Sequence, residues 1–458
     1  MHRPILLTLL AILGCQAVPT ARDASRPPNI VLVFTDDQGY GDLSCYGHPT
    51  IHTPHVDALA AGGTKLTQFY VASPVCSPSR AALLTGCYPK RVGMHKHVIF
   101  PDYDYGLHTD EVTLADLLRG EGYATGCFGK WHLGHRPGLL PTDQGFDVFA
   151  GVPYSNDMAQ IHRGPDTKYK YRLPWMEQSE VVEWEPDQRL LTRRATEAAV
   201  DFIDAHAEEP FFVYVPHSMP HIPLYASAEF EGTSPRGLYG DVIEEIDWSV
   251  GQLAAALERH GLTNNTLFLF TTDNGPWLPF KRDGGSAGLL RGGKGSNWEG
   301  GQRVPCVVSW PGTIPAGQVV RDVATTMDIL PTVAAFAGAP LPGAILDGHD
   351  VSDLLTGAPG ATSPTEHFLY YTSKGDLAGI RRGPWKLLLA KGELFHLEHD
   401  VSEQWNVAGQ NAELVAELGT LAREMDATIT AEARPTRAVE AMAFDPTKPA
   451  QAVGQSPF

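Results

Sequence analysis

Cys76-Ser77-Pro78-Ser79-Arg80-Ala81-Ala82-Leu83-Leu84-Thr85-Gly86 places a thiol at the mouth of a helix. Pro is favoured in a first helical turn, Ser or Cys suits the entrance and Gly is a natural stop, so the run predicts a helix over residues 77 to 85. Free N–H groups and the positive end of the helix dipole then face Cys76. Arg80 lies four residues on, hence on the same face, and its planar fork suits a tetrahedral oxyanion. The spot is suited to sulfate or phosphate.

Strand and helix alternate on both sides of this helix. Asn29 to Phe34 is an apolar, β-branched run of the kind buried on both faces, with Asp36 and Asp37 beyond its end. A helix follows from Thr53-Pro54 to about residue 61, stopped by Gly62-Gly63, and another spans Thr113 to Arg119. Tyr123 to Phe128 reads as a strand that delivers Lys130 and His132. Thr192 to Ala207 is helical, Pro210 to Val215 is a strand, and His217 and His221 follow it. Tyr239, Val242, Ile243, Ile246, Val250, Leu253 and Leu257 recur at helical spacing up to Gly261. Asn265 to Thr271 is a further buried strand with Asp273-Asn274 at its exit. The pattern predicts an α/β fold with a large, mostly parallel sheet flanked by helices, and the polar candidates gather where strands end, the ligand-binding edge of such sheets. From about Ser363 the pattern changes to short strands with tight turns, an antiparallel meander, then a helix over 411–431 and a Pro-containing tail. The expected division is a leader over 1–25, a main domain over 26–362 and a smaller C-terminal unit of strands and helix over 363–458.

A chain of 458 residues with 43% hydrophobic content is an ordinary globular composition. Its net charge of −18 argues against nucleic acid or an anionic membrane surface as a general partner. An anionic ligand then needs a local cationic pocket inside an acidic molecule. The start, Met1-His2-Arg3-Pro4 and an apolar run from Ile5 to Leu13, reads as an export signal too short to span a bilayer. Ile12-Leu13-Gly14-Cys15 resembles a bacterial lipobox with Cys15 as the lipidated residue; an ordinary cleaved signal is the alternative. Cys45, Cys87, Cys127 and Cys306 lack metal-like spacing, and disulfides and buried thiols both stay open.

Asp36, Asp37, Asp273 and Asn274 form an all-oxygen set, which selects Ca²⁺ or Mg²⁺ over zinc or copper. Each pair read alone could be a loop cap or a turn. Two acidic pairs at two strand ends, with no internal cations expected to neutralise them, point to a metal. Arg80, Lys130 and Lys294 form the cationic set, and glycines around Lys294 let backbone approach a ligand. Lys281 and Arg291 read as solvated surface cations.

The Cys76 to Gly86 run, with Gly129-Lys130-Trp131-His132-Leu133-Gly134, resembles the signature of the type I, formylglycine-dependent sulfatases, arylsulfatase A-like members of the alkaline phosphatase-like superfamily. The resemblance covers nearly the whole mature chain, including the C-terminal unit. It implies that a formylglycine-generating enzyme oxidises Cys76 and that the hydrated aldehyde is the nucleophile. It further implies that Asp36, Asp37, Asp273, Asn274 and modified residue 76 hold one divalent cation, usually calcium. Lys130 and Lys294 match the family's Gly-Lys-x-His and Gly-Lys-Gly positions, and His221 its His-x-Pro element; with His132 these are the expected substrate-binding and proton-carrying groups. Tyr154-Ser155-Asn156-Asp157 is similar to a Tyr-Ser-His-Asp element in which the serine contacts the aldehyde hydrate or substrate, with Asn156 as a departure. His217 matches nothing in the family.

These features imply a sulfuric ester hydrolase. The rivals are a phosphatase or phosphonate monoester hydrolase of the same superfamily, and a tethered protein that binds sulfated glycans without cleaving them. Export favours sulfated carbohydrate as substrate, with aryl sulfate as a side activity. His95, His97, Trp277 and Trp298 are candidates to touch a sugar.

Overall fold

Every residue of Asn29–Thr35 (β1) is buried, as a continuous β-branched run requires when helices cover both sheet faces. The computed structural model describes residues 26–159 and 171–439, so the leader with Cys15 and the end of the tail lie outside the described residues. Ten strands form the main sheet, in the order β11-β2-β10-β9-β1-β8-β4-β5-β6-β7. They are β1, β2 (Thr64–Tyr70), β4 (Ala124–Lys130), β5 (Val148–Val152), β6 (Pro174–Glu177), β7 (Glu180–Trp184), β8 (Phe211–Pro216), β9 (Thr266–Thr272), β10 (Arg303–Ser309) and β11 (Gln318–Thr325). The short pair β3 (Tyr105–Gly106) and β16 (Arg437–Ala438) stands apart.

The centre, β9-β1-β8-β4-β5, is parallel throughout. Antiparallel pairs flank it, β5 with β6 and β6 with β7 on one side, β9 with β10 and β10 with β2 on the other. The parallel prediction thus holds for the strands that carry the candidate residues, while the flanks are mixed. Asp36-Asp37, Lys130, His221 and Asp273-Asn274 all stand at or beyond the C-terminal ends of β1, β4, β8 and β9.

Helices α1 (Pro54–Gly62), α2 (Cys76–Thr85) and α3 (Leu114–Gly120) fall within a residue or two of their predicted bounds. Gly86 ends α2 in the left-handed region at φ 68, its N–H bonded to the Ala82 carbonyl, a conformation a side chain would strain. Thr113 closes a capping box with Asp116. The long helices α4 (Leu191–Ala205) and α5 (Leu238–Arg259) pack on one another and on the sheet face formed by Val31, Val33, Val213 and Phe268. On the opposite face Ile30, Leu32 and Phe212 meet α2, α3 and α7 (Ile329–Ala337), with α6 (Glu299–Gln302) entering β10.

The C-terminal unit is the antiparallel sheet β12 (His367–Tyr371), β13 (Leu377–Arg382), β14 (Trp385–Leu388) and β15 (Glu393–His396), covered by the helix Ala412–Ala431. A buried ionic cluster ties it to the main sheet. Lys386 Nζ lies 3.0 Å from Glu299 Oε1 and 2.7 Å from Glu403 Oε1, with all three side chains fully buried. The Tyr370 hydroxyl donates to Glu299 Oε1 at 2.8 Å, and the Tyr70 hydroxyl donates to Oε2. Burial opposes the Glu299 charge, yet Lys386, Arg303 and Arg381 outweigh it and hold the carboxyl low.

Removing one partner of a buried ion pair strands the others at about 3–5 kcal/mol. Lys386→Met is therefore expected to lower the unfolding free energy, read from urea denaturation, by an amount of that order; a loss of less than about 1 kcal/mol would show the cluster to be energetically idle. Asp42, whose Oδ2 accepts from Gly39 N–H at 2.7 Å and from the Tyr239 hydroxyl at 2.6 Å, gives a pH signature. Burial raises its carboxyl to about 7. The native chain then holds a proton that the unfolded chain has lost, so this group's stabilisation is full below about pH 4 and gone by about pH 7. Asp42→Asn, which keeps both acceptor contacts, is expected to flatten the fall in urea midpoint between pH 5 and 7.

Candidate active site

Cys76 is the first residue of α2 and is 2% exposed. Its Sγ lies 3.5 Å from Asp36 Oδ1 and 3.6 Å from Lys294 Nζ. Asp36 Oδ2 takes the Lys130 ammonium and stands 3.4 Å from Arg80 Nη2. Arg80 forks onto Asp273 Oδ2 at 3.1 and 2.8 Å and donates to the Lys130 carbonyl at 2.9 Å. Lys294 Nζ reaches both oxygens of Asp37, at 2.7 and 2.8 Å. Asn274 Nδ2 donates to Asp37 Oδ1 at 2.7 Å, and His221 Nε2 lies 3.6 Å from Asp37 Oδ2.

Three buried carboxylates therefore face two buried cations, Arg80 and Lys130, and a half-buried third, Lys294. This corrects the expectation that the acidic pairs lack internal counter-charges: residues 80, 130 and 294 are distant in sequence, and only the fold delivers them. Burial opposes the Asp36 charge, but Lys130, His221, Arg80 and Lys294 hold its carboxyl well below the usual range. Asp273 moves the other way, to about 7, because burial and the Asp36 charge outweigh Arg80. Burial, then Asp36, pushes the Cys76 thiol well up.

The case for a metal rests on one orphaned oxygen and on the convergence of ligand atoms around Cys76. Asn274 Oδ1 is buried with no hydrogen-bond partner among the described residues. Ligand atoms of Asp36, Asp37, Cys76 and His221 lie within 4.8 Å of one another. An oxygen-rich set with an orphaned amide oxygen fits a hard divalent cation. Backbone strain marks the same place: Asp37 and His132 have φ of 65 and 64, in the left-handed region. Gly275 comes so close to the turn of α6 that a Cβ would sit 1.8 Å from the Gly300 carbonyl oxygen, so only glycine holds Asn274 here.

His132 Nε2 lies 3.0 Å from the Ile99 carbonyl, and its Nδ1 is buried without a partner among the described residues. Ile99 N–H in turn bonds Ser77 Oγ at 2.9 Å, which places His132 beside the start of α2. Burial, Lys130 and Arg80 hold its imidazole well below the ordinary histidine value. Ser155 is buried just ahead of the turn Asn156–Met158. Asp157, which the sequence reading passed over, belongs to the same surroundings. Burial would raise its carboxyl, but His221, Lys130, Ser155 and Lys294 keep it low. Its signal was the Ser155-x-Asp157 spacing beside a strand exit. Asn156 braces the loop through Gln188 and the Pro223 carbonyl.

His217 bonds Ser249 at 3.1 Å and takes no part in the cluster. Lys281 and Arg291 are both exposed, as expected; Arg291 also lies 3.6 Å over the Trp298 ring and donates to the Glu403 carbonyl. His95 and His97 line a separate cavity of about 470 Å³ with Lys90, Tyr105 and Arg434. Trp277, by contrast, touches the site, its ring centroid 4.4 Å from Lys294 Nζ. Cys45, Cys87, Cys127 and Cys306 are free thiols.

A family model described as Sulfatase matches residues 28–339. Over 381 residues the chain is 43% identical to arylsulfatase A of Homo sapiens, covering 79% of this chain and 75% of that protein. It is 40% identical over 368 residues to N-acetylgalactosamine-6-sulfatase of Rattus norvegicus, covering 76% of this chain and 68% of that protein. Among solved structures, Ps i-CgsB in complex with k-i-k-neocarrahexaose superposes with a TM-score of 0.79 at 32% identity, over 90% of this chain and 94% of that one. The family match spans all the strand ends that build the Cys76 cluster, and the likeness to these proteins extends over most of the chain: it belongs to the sulfatase family and is a hydrolase of sulfuric esters.

Proposed function

We propose that this chain removes sulfate from carbohydrate by way of formylglycine made from Cys76, with one calcium ion held by Asp36, Asp37, Asp273, Asn274 and the modified residue 76. The observation that carries the reading is the position of Cys76 Sγ, between Asp36 Oδ1 and Lys294 Nζ at the start of α2. A bound cation would supply Lewis-acid polarisation of the sulfate and stabilise an ionised hydroxyl at residue 76. Magnesium is the alternative ion. Carbohydrate is favoured by the likeness to Ps i-CgsB, solved with a carrahexaose, and to N-acetylgalactosamine-6-sulfatase.

One hydroxyl of the hydrated aldehyde attacks sulfur, and the S–O bond to the sugar breaks. Arg80, Lys130 and Lys294 place positive charge around the equatorial oxygens, where it counts most in a dry site. Ser155 orients the sulfate or the hydrate. The departing alkoxide takes its proton from His221 or Lys294. His132, its Nδ1 free to accept, removes the proton of the second hydroxyl; the C–O bond then breaks, sulfate leaves and the aldehyde returns. A serine in place of the aldehyde has no second hydroxyl and no such exit.

The main domain over 26–362 then carries the chemistry, and 363–458 buttresses it. The leader over 1–25 directs export, with Cys15 as a lipid tether to a membrane. A formylglycine-generating enzyme is the maturation partner.

Mass spectrometry is expected to find an aldehyde at residue 76, and Cys76→Ser to stop after at most one turnover; steady turnover by that variant would refute the assigned role. Lys294→Ala is expected to lower kcat by about 10²–10³-fold, read on an aryl sulfate alongside the matching aryl phosphate, which should be the poorer substrate. Dialysis against a chelator should abolish activity and Ca²⁺ restore it; full activity in the metal-free protein would rule out the ion.

A further inference from the structure

Trp277 follows the Asp273-Asn274 exit and faces the reacting groups without belonging to the core. Its ring centroid lies 4.4 Å from Lys294 Nζ and 5.3 Å from the His221 ring, at an interplanar angle of 55°. Phe280 meets it edge-on at 4.7 Å, and Phe280 is 40% exposed. Neither ring packs into an apolar core cluster of the described residues.

The loop under these rings is held by its own backbone. Phe280 N–H bonds the Trp277 carbonyl at 3.1 Å, Gly284 N–H bonds that of Lys281 at 3.1 Å, and Lys294 N–H bonds that of Pro276 at 2.9 Å. Lys281 sits at φ 57 and ψ −115, a strained conformation that turns the chain back after the two rings. An aromatic pair with little structural use, held rigidly beside a site, is a contact surface for something absent from the free protein.

We infer that Trp277, extended by Phe280, is the platform that stacks the C–H face of the pyranose ring bearing the scissile sulfate. This rests on the proposed carbohydrate reading. With sulfate against Lys294 and the bridging oxygen toward His221, the sugar carbon on that oxygen falls next to the indole. A pyranose offers a weakly positive C–H face to the ring's negative face and a hydroxyl to the indole N–H. The Lys294 ammonium beside the ring is held in place by both oxygens of Asp37, at 2.7 and 2.8 Å, so the anion pocket does not depend on the platform.

The test compares wild type, Trp277→Ala and Trp277→Phe on a panel of sulfated galactose, N-acetylgalactosamine, glucosamine and fucose oligosaccharides, with inorganic sulfate as competitive inhibitor. Trp277→Ala is expected to raise KM for the preferred sugar about tenfold, the size of one good aromatic contact. Trp277→Phe should recover most of that loss, and the Ki of inorganic sulfate should stay within about twofold of wild type, because the anion pocket is intact. An unchanged KM in Trp277→Ala, with wild type active on the sugar, would overturn the platform and leave the carbohydrate reading standing. A Ki that rises in step with KM would show that Trp277 only props Lys294, and would also overturn it. Hydrolysis of an aryl sulfate by wild type with no release from any sugar of the panel would overturn both readings.

Discussion

Charge balance among buried side chains is the constraint on which the rest of the molecule depends. Asp36, Asp37 and Asp273 meet at the ends of two adjacent parallel strands, β1 and β9, where burial alone would force protons onto them. Arg80, Lys130 and Lys294 prevent that for Asp36, whose carboxyl is held low, but not for Asp273, which is pushed to about 7. The cluster is neutral in formal count and still uneven, with one carboxyl poised to lose a proton when more positive charge arrives.

Holding these charges in register requires rigid supports, and each cation has its own. Arg80 rides on α2, buried at all ten residues. Lys130 is the last residue of β4, paired on both sides in the parallel centre. Lys294 comes from an irregular loop and depends on neighbours: Gly295 N–H bonds the Pro74 carbonyl, and the loop runs into the turn of α6, where Glu299 is anchored. The second buried ionic cluster, Lys386 with Glu299 and Glu403, therefore has a use beyond joining two sheets. It seats the end of the Lys294 loop, and Glu403 adds a bond to the Glu299 N–H at 2.7 Å.

Much of this was legible along the chain. Apolar β-branched runs marked β1, β8 and β9, and the Cys76 helix and its Gly86 stop were placed within one residue, because these signals are local. The flanking strands β2, β10 and β11, like β5, β6 and β7, were not predicted: β2 and β11 are interrupted by polar residues such as Lys65, Gln68 and Asp322, and β10 carries Pro305 and pairs antiparallel on both sides. Asp157 stood in the Tyr154-to-Asp157 element without a role, because the groups that hold its charge, His221, Lys130 and Lys294, lie far off in sequence.

Local order along the chain was enough to specify a doubly covered sheet, a thiol at a helix start, and polar residues stationed at strand ends, because each follows from residue type and spacing. Which charge faces which was decided only when the strands were laid side by side. Electrostatic pairing acts across a few ångströms of space, and residues 36, 80, 130, 273 and 294 become neighbours only through the order β9-β1-β8-β4. The left-handed turns at Asp37 and His132, the orphaned oxygen of Asn274 and the aromatic face of Trp277 beside Lys294 likewise exist only once tertiary packing holds the backbone against its local preference.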